Sequence, residues 1–444
     1  MKTPASERPS VTDAGSTHDL LRLADQCVKC GLCLPHCPTF QKARNEADSP
    51  RGRIALIQGW ATGHLEMTRT LEGHLDGCLG CRNCERVCPS GVAYGQIADM
   101  AKALRVKGLP AWRRRLTSAG LRALSDARCV AQAARLSRLY LGLGLARLAE
   151  VIGVARIAAV RPYHRLATAM GAAARRVGAR DPNHADVDLF VGCMGCAGSG
   201  HAIEATRVVA TRLGLEIRIS PDPTCCGALL RHNGYPAEAD TRLRACTRTH
   251  GSRPLAGLAS ACVAELREEP ALADTTELCA FLNRIHWPER LEISPLHGRV
   301  LIHEPCSHRN RLGGNAAVHR LLARIPGLDL APLPPGQGCC GAAGTYLLQQ
   351  PAMAETLLGD LLAPLRADPP DVLVTTNPGC ALHLAAGIRE AGLDIEVCHP
   401  VELLARALDS SEAAADSPEV QRRRLQREPL ARRGRILDTD GQPM

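Results

Sequence analysis

Aromatic side chains are scarce in this sequence, with three Phe, five Tyr and three Trp making up 2% of its 444 residues. The formal net charge is +9, and a basic chain invites a nucleic-acid reading. Single strands, however, are held largely by stacking bases on aromatic rings, so the scarcity argues against nucleic acid as a partner. Long apolar runs are missing too. The nearest candidate for a membrane span, Leu139 to Val160, is interrupted by Arg147, Glu150 and Arg156, so no transmembrane helix is expected. The opening residues, Met1 to Asp19, are polar, contain Pro4 and Pro9 and hold no apolar stretch of a secretory leader. The expectation is a cytoplasmic protein, free or peripheral on the inner face of the cytoplasmic membrane.

What the chain does have is cysteine, 21 residues of it. Cytosolic thiols stay reduced, so clustered cysteines there are better read as metal ligands than as disulfides. Charge is also unevenly placed. Between Ala101 and Arg180 there are 17 Lys and Arg against two acids, Asp126 and Glu150, and the rest of the chain is net acidic. This stretch suits a membrane surface, an acidic partner subunit or a solvated helical linker.

A chain of 444 residues exceeds what one compact core usually fills. Composition divides it into a polar tail (1–19), a cysteine-rich region (20–100), a basic Ala/Leu/Arg-rich helical connector (101–180), two α/β modules (186–290 and 298–408) and a polar, Arg-rich tail (409–444), the two tails expected to be disordered. Within the modules, short apolar runs alternate with helix-like stretches, the pattern of βα units. Strands are expected at Val187–Val191, Leu215–Ile219, Val300–His303 and Val372–Thr375. A helix is expected after the first of these, where Ile203, Val209, Ala210 and Leu213 share one face before Gly214. The fold class is therefore multidomain, α followed by α/β.

The two modules are copies of one unit. Cys193, the triplet Cys225-Cys226-Gly227 and Cys262 recur as Cys306, Cys339-Cys340-Gly341 and Cys380, at offsets of 113, 114 and 118 residues. Each copy closes on an apolar helix, Glu277–Ile285 and Val401–Leu408. Loops after parallel strands gather at one sheet edge, so the four thiols of each Cys-Cys-Gly (CCG) module can converge. Three uses compete for them: a further metal cluster, a redox-active thiol pair, or structure. The glycine would let the backbone pass close to whatever the sulfurs bind. Cys129, Cys196, Cys246, Cys279 and Cys398 read as small buried hydrophobes.

The strongest signal is Cys27-x-x-Cys30-x-x-Cys33-x-x-x-Cys37-Pro38, repeated as Cys78-x-x-Cys81-x-x-Cys84-x-x-x-Cys88-Pro89. Three thiolates two residues apart wrap one face of an iron–sulfur cube, and in two-cluster ferredoxins the fourth cysteine serves the other cluster. The expected ligand sets for two [4Fe-4S] clusters are Cys27, Cys30, Cys33 and Cys88, and Cys78, Cys81, Cys84 and Cys37. Zinc, the competing thiolate metal, usually takes two separated Cys-x-x-Cys pairs rather than runs of four. The 40 residues between the motifs include a helical stretch, Ile54–Gly63, which suggests a mainly helical ferredoxin. Its Pro50-Arg51-Gly52-Arg53 could orient a cluster or a partner carboxylate, and the favoured reading is the start of that helix. No Gly-x-Gly-x-x-Gly follows an expected strand and no Walker-type loop is present, so no flavin or nicotinamide site is expected.

At Cys27-Val-Lys-Cys-Gly-Leu-Cys33, Asp48-Ser-Pro-Arg-Gly-Arg53, Cys78-Leu-Gly-Cys-Arg-Asn-Cys84, Cys339-Cys-Gly-Ala-Ala-Gly-Thr-Tyr346 and Asn377-Pro-Gly-Cys-Ala-Leu-His-Leu384 the sequence resembles the iron–sulfur subunit of bacterial glycolate oxidase (glycolate dehydrogenase), from about Leu20 to Leu408. The resemblance implies a chain that takes electrons from flavin-containing subunits oxidising glycolate, or D-lactate, and relays them toward a quinone or another acceptor, with no catalytic residues of its own. The CCG modules are also similar to those of heterodisulfide reductase, of lactate-utilisation proteins and of the anaerobic glycerol-3-phosphate dehydrogenase iron–sulfur subunit. Those similarities imply the alternatives, a thiol or disulfide reductase subunit or the relay of another dehydrogenase. In the heterodisulfide reductase form each module ends in Cys-x-x-Cys. Here the final positions are Glu265 and His383, of which His383 could replace a thiolate.

Overall fold

The computed structural model describes residues 17–175, 178, 182, 184–220, 223–334 and 339–409. Almost all of both expected tails lies outside these residues. The chain divides into two compact units, residues 1–122 with 227–245, and residues 123–226 with 246–444.

The first unit is helical. Its helices Thr17–Ala24, Pro50–Ala61, Arg69–Asp76 and Tyr94–Gly108 bury Leu20, Ile54, Ile57, Leu71 and Ile97 around one core, and no strand occurs among its described residues. The expected helix at Ile54 begins four residues earlier, for a local reason. The Ser49 hydroxyl accepts from the Gly52 amide at 2.9 Å, and Pro50 takes the first position, where its missing N–H costs nothing. Gly52 has no alternative, since a Cβ there would lie 1.8 Å from the Glu46 carbonyl oxygen.

The second unit holds both sheets, each of four parallel strands. The first has β1 (Val187–Phe190), β2 (Ile217–Arg218), β3 (Leu255–Gly257) and β4 (Thr276–Glu277) in the order β2-β1-β3-β4. The second has β5 (Gly298–Ile302), β6 (Leu328–Pro332), β7 (Val372–Val374) and β8 (Glu396–Cys398) in the order β6-β5-β7-β8. The two orders are the same, as copies of one module require. In register, Leu189 faces Ala256 and Val300 faces both Leu330 and Val372. One core runs from the first sheet to the second. Ile203 and Val209 on helix Gly200–Arg212 meet Leu404 and Leu408 on helix Pro400–Asp409.

The basic stretch expected as one connector is divided between the units. Its part in the second unit is a helical hairpin, Ala127–Gly142 packed on Arg161–Ala173, with Leu145–Val151 between them. The two long helices approach closely enough that a Cβ on Gly171 would lie 2.8 Å from the Ser137 carbonyl oxygen. Val130, Ala134 and Met170 seat the hairpin against Leu382 and Ala386 of the second module. Nearly buried Arg165 reaches Glu390 at 2.7 Å and Glu355 at 3.3 Å. The far end is different in kind. Of the sixteen exposed large apolar side chains among the described residues, eight lie between Leu139 and Ile157.

Candidate metal centres

Both ferredoxin-type loops bend the same way. Lys29 and Gly31 flank Cys30 with φ of +56° and +85°, and Gly80 and Arg82 flank Cys81 with φ of +64° and +58°. Each loop thus holds one non-glycine residue in the left-handed region, Lys29 before Cys30 and Arg82 after Cys81, backbone strain stored where three sulfurs must face one way. Cys27 and Cys30 lie close enough to act on the Cys33 thiol, whose pKa is raised, chiefly by burial. In the second loop, burial followed by the neighbouring Cys81, Cys78 and Cys37 sulfurs pushes Cys84 well up. Cys37, from the first motif, therefore stands with Cys78, Cys81 and Cys84 of the second. Cys88 is half-buried within the helical core. Sulfurs gathered in this way are poor thiolates alone and good ones around a cation, so the donor set suits iron–sulfur ligation.

The Pro50-Arg51-Gly52-Arg53 segment does more than begin a helix. The Arg51 amide hydrogen-bonds the Cys33 sulfur, and the Arg51 guanidinium donates to the Lys29 carbonyl at 3.1 Å. Arg53 is 1% exposed. Its Nε donates to the His74 carbonyl at 2.6 Å, Nη1 to Thr39 Oγ1 at 3.1 Å and Nη2 to Asp48 Oδ1 at 3.3 Å. Thr39 Oγ1 is in turn 3.3 Å from the Cys37 sulfur. A fixed positive charge thus sits one hydroxyl away from a ligand position. Tyr94, fully buried, places its hydroxyl in hydrogen-bonding reach of Cys78. The sequence pointed to Arg53 only through the Asp48–Arg53 stretch, and Tyr94 carries no motif of its own.

In each α/β module the cysteines follow β1, β2 and β3, or β5, β6 and β7, and meet at the strand ends beside the point where strand order reverses. Cys193 interacts with Cys225, and Cys226 with both Cys225 and Cys262. In the second module Cys306 and Cys339 have their sulfurs 3.9 Å apart, and Cys340 and Cys380 2.9 Å apart. Cys193, Cys226 and Cys306 are raised by contact with neighbouring cysteines and by burial, and Cys340 and Cys380 end up raised although one cysteine contact on each lowers them. His383 stands apart from them, its Nε2 3.4 Å from the Ala354 carbonyl oxygen. A different histidine takes its place. A ring nitrogen of His303 lies within 4.8 Å of the sulfurs of both Cys340 and Cys380. Burial, then Arg309, lowers the pKa of His303 to about 4, so it is neutral near pH 7.

The glycine of each triplet serves packing. Gly227 and Gly341 have φ of +85° and +89°, and a Cβ would lie 2.7 Å from the Ala239 carbonyl oxygen or 2.8 Å from that of Ala354. The neighbour that excludes a side chain in each case is a helix backbone. Of the remaining cysteines, Cys246, Cys279 and Cys398 are buried as expected, while Cys129 is exposed on the outer side of its helix. The side chain of Cys196 lies outside the described residues.

A helical domain with paired four-cysteine loops, followed by two cysteine-bearing parallel sheets, defines a modular iron–sulfur protein. Comparison with known families agrees. Residues 23–92 match the 4Fe-4S dicluster domain, and residues 187–266 and 300–385 match the cysteine-rich domain. The glycolate oxidase iron–sulfur subunit of Escherichia coli (strain K12) is 30% identical over 410 residues, covering 86% of this chain and 94% of that one. A probable glycolate oxidase iron–sulfur subunit of Bacillus subtilis (strain 168) is 29% identical over 416 residues, covering 86% and 93%. Lactate utilization protein A of Geobacillus kaustophilus (strain HTA426) is 30% identical over 234 residues, 49% of this chain and 98% of that one. The chain belongs to the family of glycolate oxidase iron–sulfur subunits.

Proposed function

We propose that this chain is the electron-relay subunit of a glycolate dehydrogenase, passing electrons from flavin-bearing subunits that oxidise glycolate to glyoxylate toward a quinone or comparable acceptor. The observation that carries the reading is that Cys37, from the first motif, lies near enough to act on Cys84 of the second, as Cys81 and Cys78 do, which supports the exchange of a fourth ligand between two adjacent clusters. Cys27, Cys30, Cys33 and Cys88 would hold one [4Fe-4S] cluster, and Cys78, Cys81, Cys84 and Cys37 the other. Bound there, the clusters supply one-electron transfer. Around the second set, Arg53 holds positive charge and Tyr94 offers a hydroxyl donor to sulfur. At the first, the Arg51 amide donates to Cys33 from the start of its helix.

The rival, thiol chemistry at the CCG cysteines, is disfavoured by their environment. Buried thiols with raised pKa are weak nucleophiles. The site of attachment we assign to the hairpin tip, docked on an anionic membrane surface. No described helix is long and apolar enough to cross a membrane, but the tip pairs exposed Leu143, Leu148 and Ile152 with Arg138, Arg147 and Arg156, the mixture that suits an interfacial contact.

Anaerobically purified protein should contain about eight irons attributable to the two ferredoxin-type ligand sets. Cys30→Ser and Cys81→Ser should each remove one cluster's spectroscopic signal. Stoichiometric zinc in those sites, or two signals that survive both substitutions, would sink the ligand assignment.

A further inference from the structure

We infer that His303 is a metal ligand, and that it completes with Cys340 and Cys380, beside Cys306 and Cys339, a thiolate-and-imidazole metal centre in the second CCG module. The inference rests on reading that module's cysteines as a ligand set, and it concerns a residue outside every cysteine motif of the chain.

Three observations meet at His303. First, it is 4% exposed, and its Nε2 has no hydrogen-bond partner among the described residues. An unsatisfied buried polar atom is costly, on the order of 1–3 kcal/mol, unless something absent from the protein chain itself satisfies it. Second, the ring is oriented from behind. Nδ1 lies 3.0 Å from Thr375 Oγ1. With the Nδ1 proton donated to that oxygen, Nε2 presents its lone pair, the usual state of a metal-bound histidine with an oxygen in the outer shell. Third, the ring nitrogen and the Cys340 and Cys380 sulfurs are mutually within 4.8 Å, so one ion or cluster can touch all three.

A second buried trio provides the contrast. Glu277, Cys279 and His399 are equally close together. There, however, the Val401 amide donates to His399 Nδ1 at 3.2 Å, which uses that lone pair and puts the ring proton on Nε2. Glu277 Oε2 accepts from the Ala280 amide at 3.1 Å as a helix cap. His399 Nε2 and Glu277 Oε1 are likewise without a hydrogen-bond partner among the described residues, but with the ring proton on Nε2 and the Nδ1 lone pair taken, His399 offers a metal no donor.

The internal repeat sharpens the point. His303 precedes Cys306 by three residues, and the residue three before Cys193 in the first module is Phe190, which packs edge-on against His250 at 5.9 Å. The first module thus offers four thiols and an aromatic ring, the second four thiols and an imidazole. The two modules are alike in fold and unlike in ligand chemistry. The fifth donor of the second module enters just after β5, while His383 turns toward the Ala354 carbonyl.

Full-length protein purified without oxygen should be assayed for iron, sulfide and zinc. Metal beyond the eight irons of the ferredoxin-type sets is expected. If it is iron–sulfur, pulsed EPR of the reduced protein should show a directly coordinated nitrogen. If it is zinc, X-ray absorption should show a nitrogen scatterer near about 2.0 Å beside sulfurs at about 2.3 Å. His303→Phe, which installs the residue found in the first module, should abolish the nitrogen signature, and His383→Ala should leave it intact. His303→Gln, which retains a polar side chain, guards against a packing effect. Absence of extra metal, a wild-type centre with sulfur ligands alone, or a nitrogen signature that persists in both His303 variants would overturn the inference. The signals lost on Cys30→Ser and Cys81→Ser are separate, so failure here leaves the relay reading standing.

Discussion

Arg53 shows how much a single residue can carry. Its guanidinium is enclosed and each of its nitrogens is engaged, so Arg53→Met should strip the His74 carbonyl and Asp48 of a charged donor, leaving Asp48 with His74 Nδ1 at 3.0 Å. Breaking a buried pair from one side costs about 3–5 kcal/mol, readable in denaturant unfolding of the apoprotein. In the holoprotein the same change should make the second cluster harder to reduce, because it withdraws positive charge from beside Cys37. An unchanged midpoint potential in a folded variant would refute the electrostatic role. Glu277 gives a pH test. Burial raises its pKa to about 7, above the unfolded value of about 4.3. The neutral form therefore contributes stability fully below about pH 4.3, and that contribution is lost as pH rises toward 7. Glu277→Gln, which cannot ionise, should gain stability over wild type at pH 8, on the order of 3 kcal/mol. The gain should fade by pH 5, and a pH-independent difference would contradict it. Cysteine spacing made the ferredoxin ligand candidates legible in the sequence. His303 was not legible, because a single histidine after a strand looks like core until Nε2 is seen without a partner and two sulfurs are seen near it.

Among elements, β1, β2, β5 and β7 were readable in the sequence and β3, β4, β6 and β8 were not. β1, β5 and β7 are buried apolar runs, which stand out in any sequence. β3, β4 and β8 have two or three residues each, and β6 is a half-exposed edge strand containing Asp329 and Pro332, so register with a neighbour is what makes them strands. The triplet glycines make an element-level prediction. Gly341→Ala must adopt a left-handed backbone, costing roughly 1–2 kcal/mol, and must also push back the helix that begins at Pro351. It should destabilise the protein more than Gly63→Ala, where φ is +78° but no atom lies within 4 Å. Equal unfolding midpoints for the two variants would contradict the packing account. The hairpin was legible only as charge. Its apolar tip emerges from which helix faces are already occupied, and that suggests a binding test. Wild-type protein should sediment with vesicles containing anionic lipid. One molar salt, where screening shortens to about 3 Å, should weaken binding without abolishing it, and Leu143→Glu with Ile152→Glu should abolish it at any salt. Binding indifferent to those substitutions would place the contact elsewhere.

For the whole molecule, on the relay reading proposed above, the helical domain would supply two thiolate sets and the modules further thiols, and oxidation of a 2-hydroxy acid would fall to partner subunits. That oxidation removes two electrons together, which calls for an organic acceptor such as a flavin, whereas iron–sulfur clusters take electrons singly. Isolated holoprotein should therefore leave glycolate, D-lactate and glycerol 3-phosphate untouched in a dye-reduction assay. Mixed with flavin-bearing partner subunits, it should support reduction of the dye by glycolate. Cys27→Ser or Cys88→Ser in this chain should stop dye reduction by disrupting one ligand set, while rapid-mixing measurements should still show glycolate bleaching the flavin, because the lesion lies downstream of it. Turnover by the isolated chain, or loss of flavin bleaching in an assembled complex carrying either substitution, would remove the relay assignment. If D-lactate or glycerol 3-phosphate replaces glycolate as the substrate that bleaches the flavin, the relay stands and the substrate proposal falls, since the choice of substrate belongs to the partner's site.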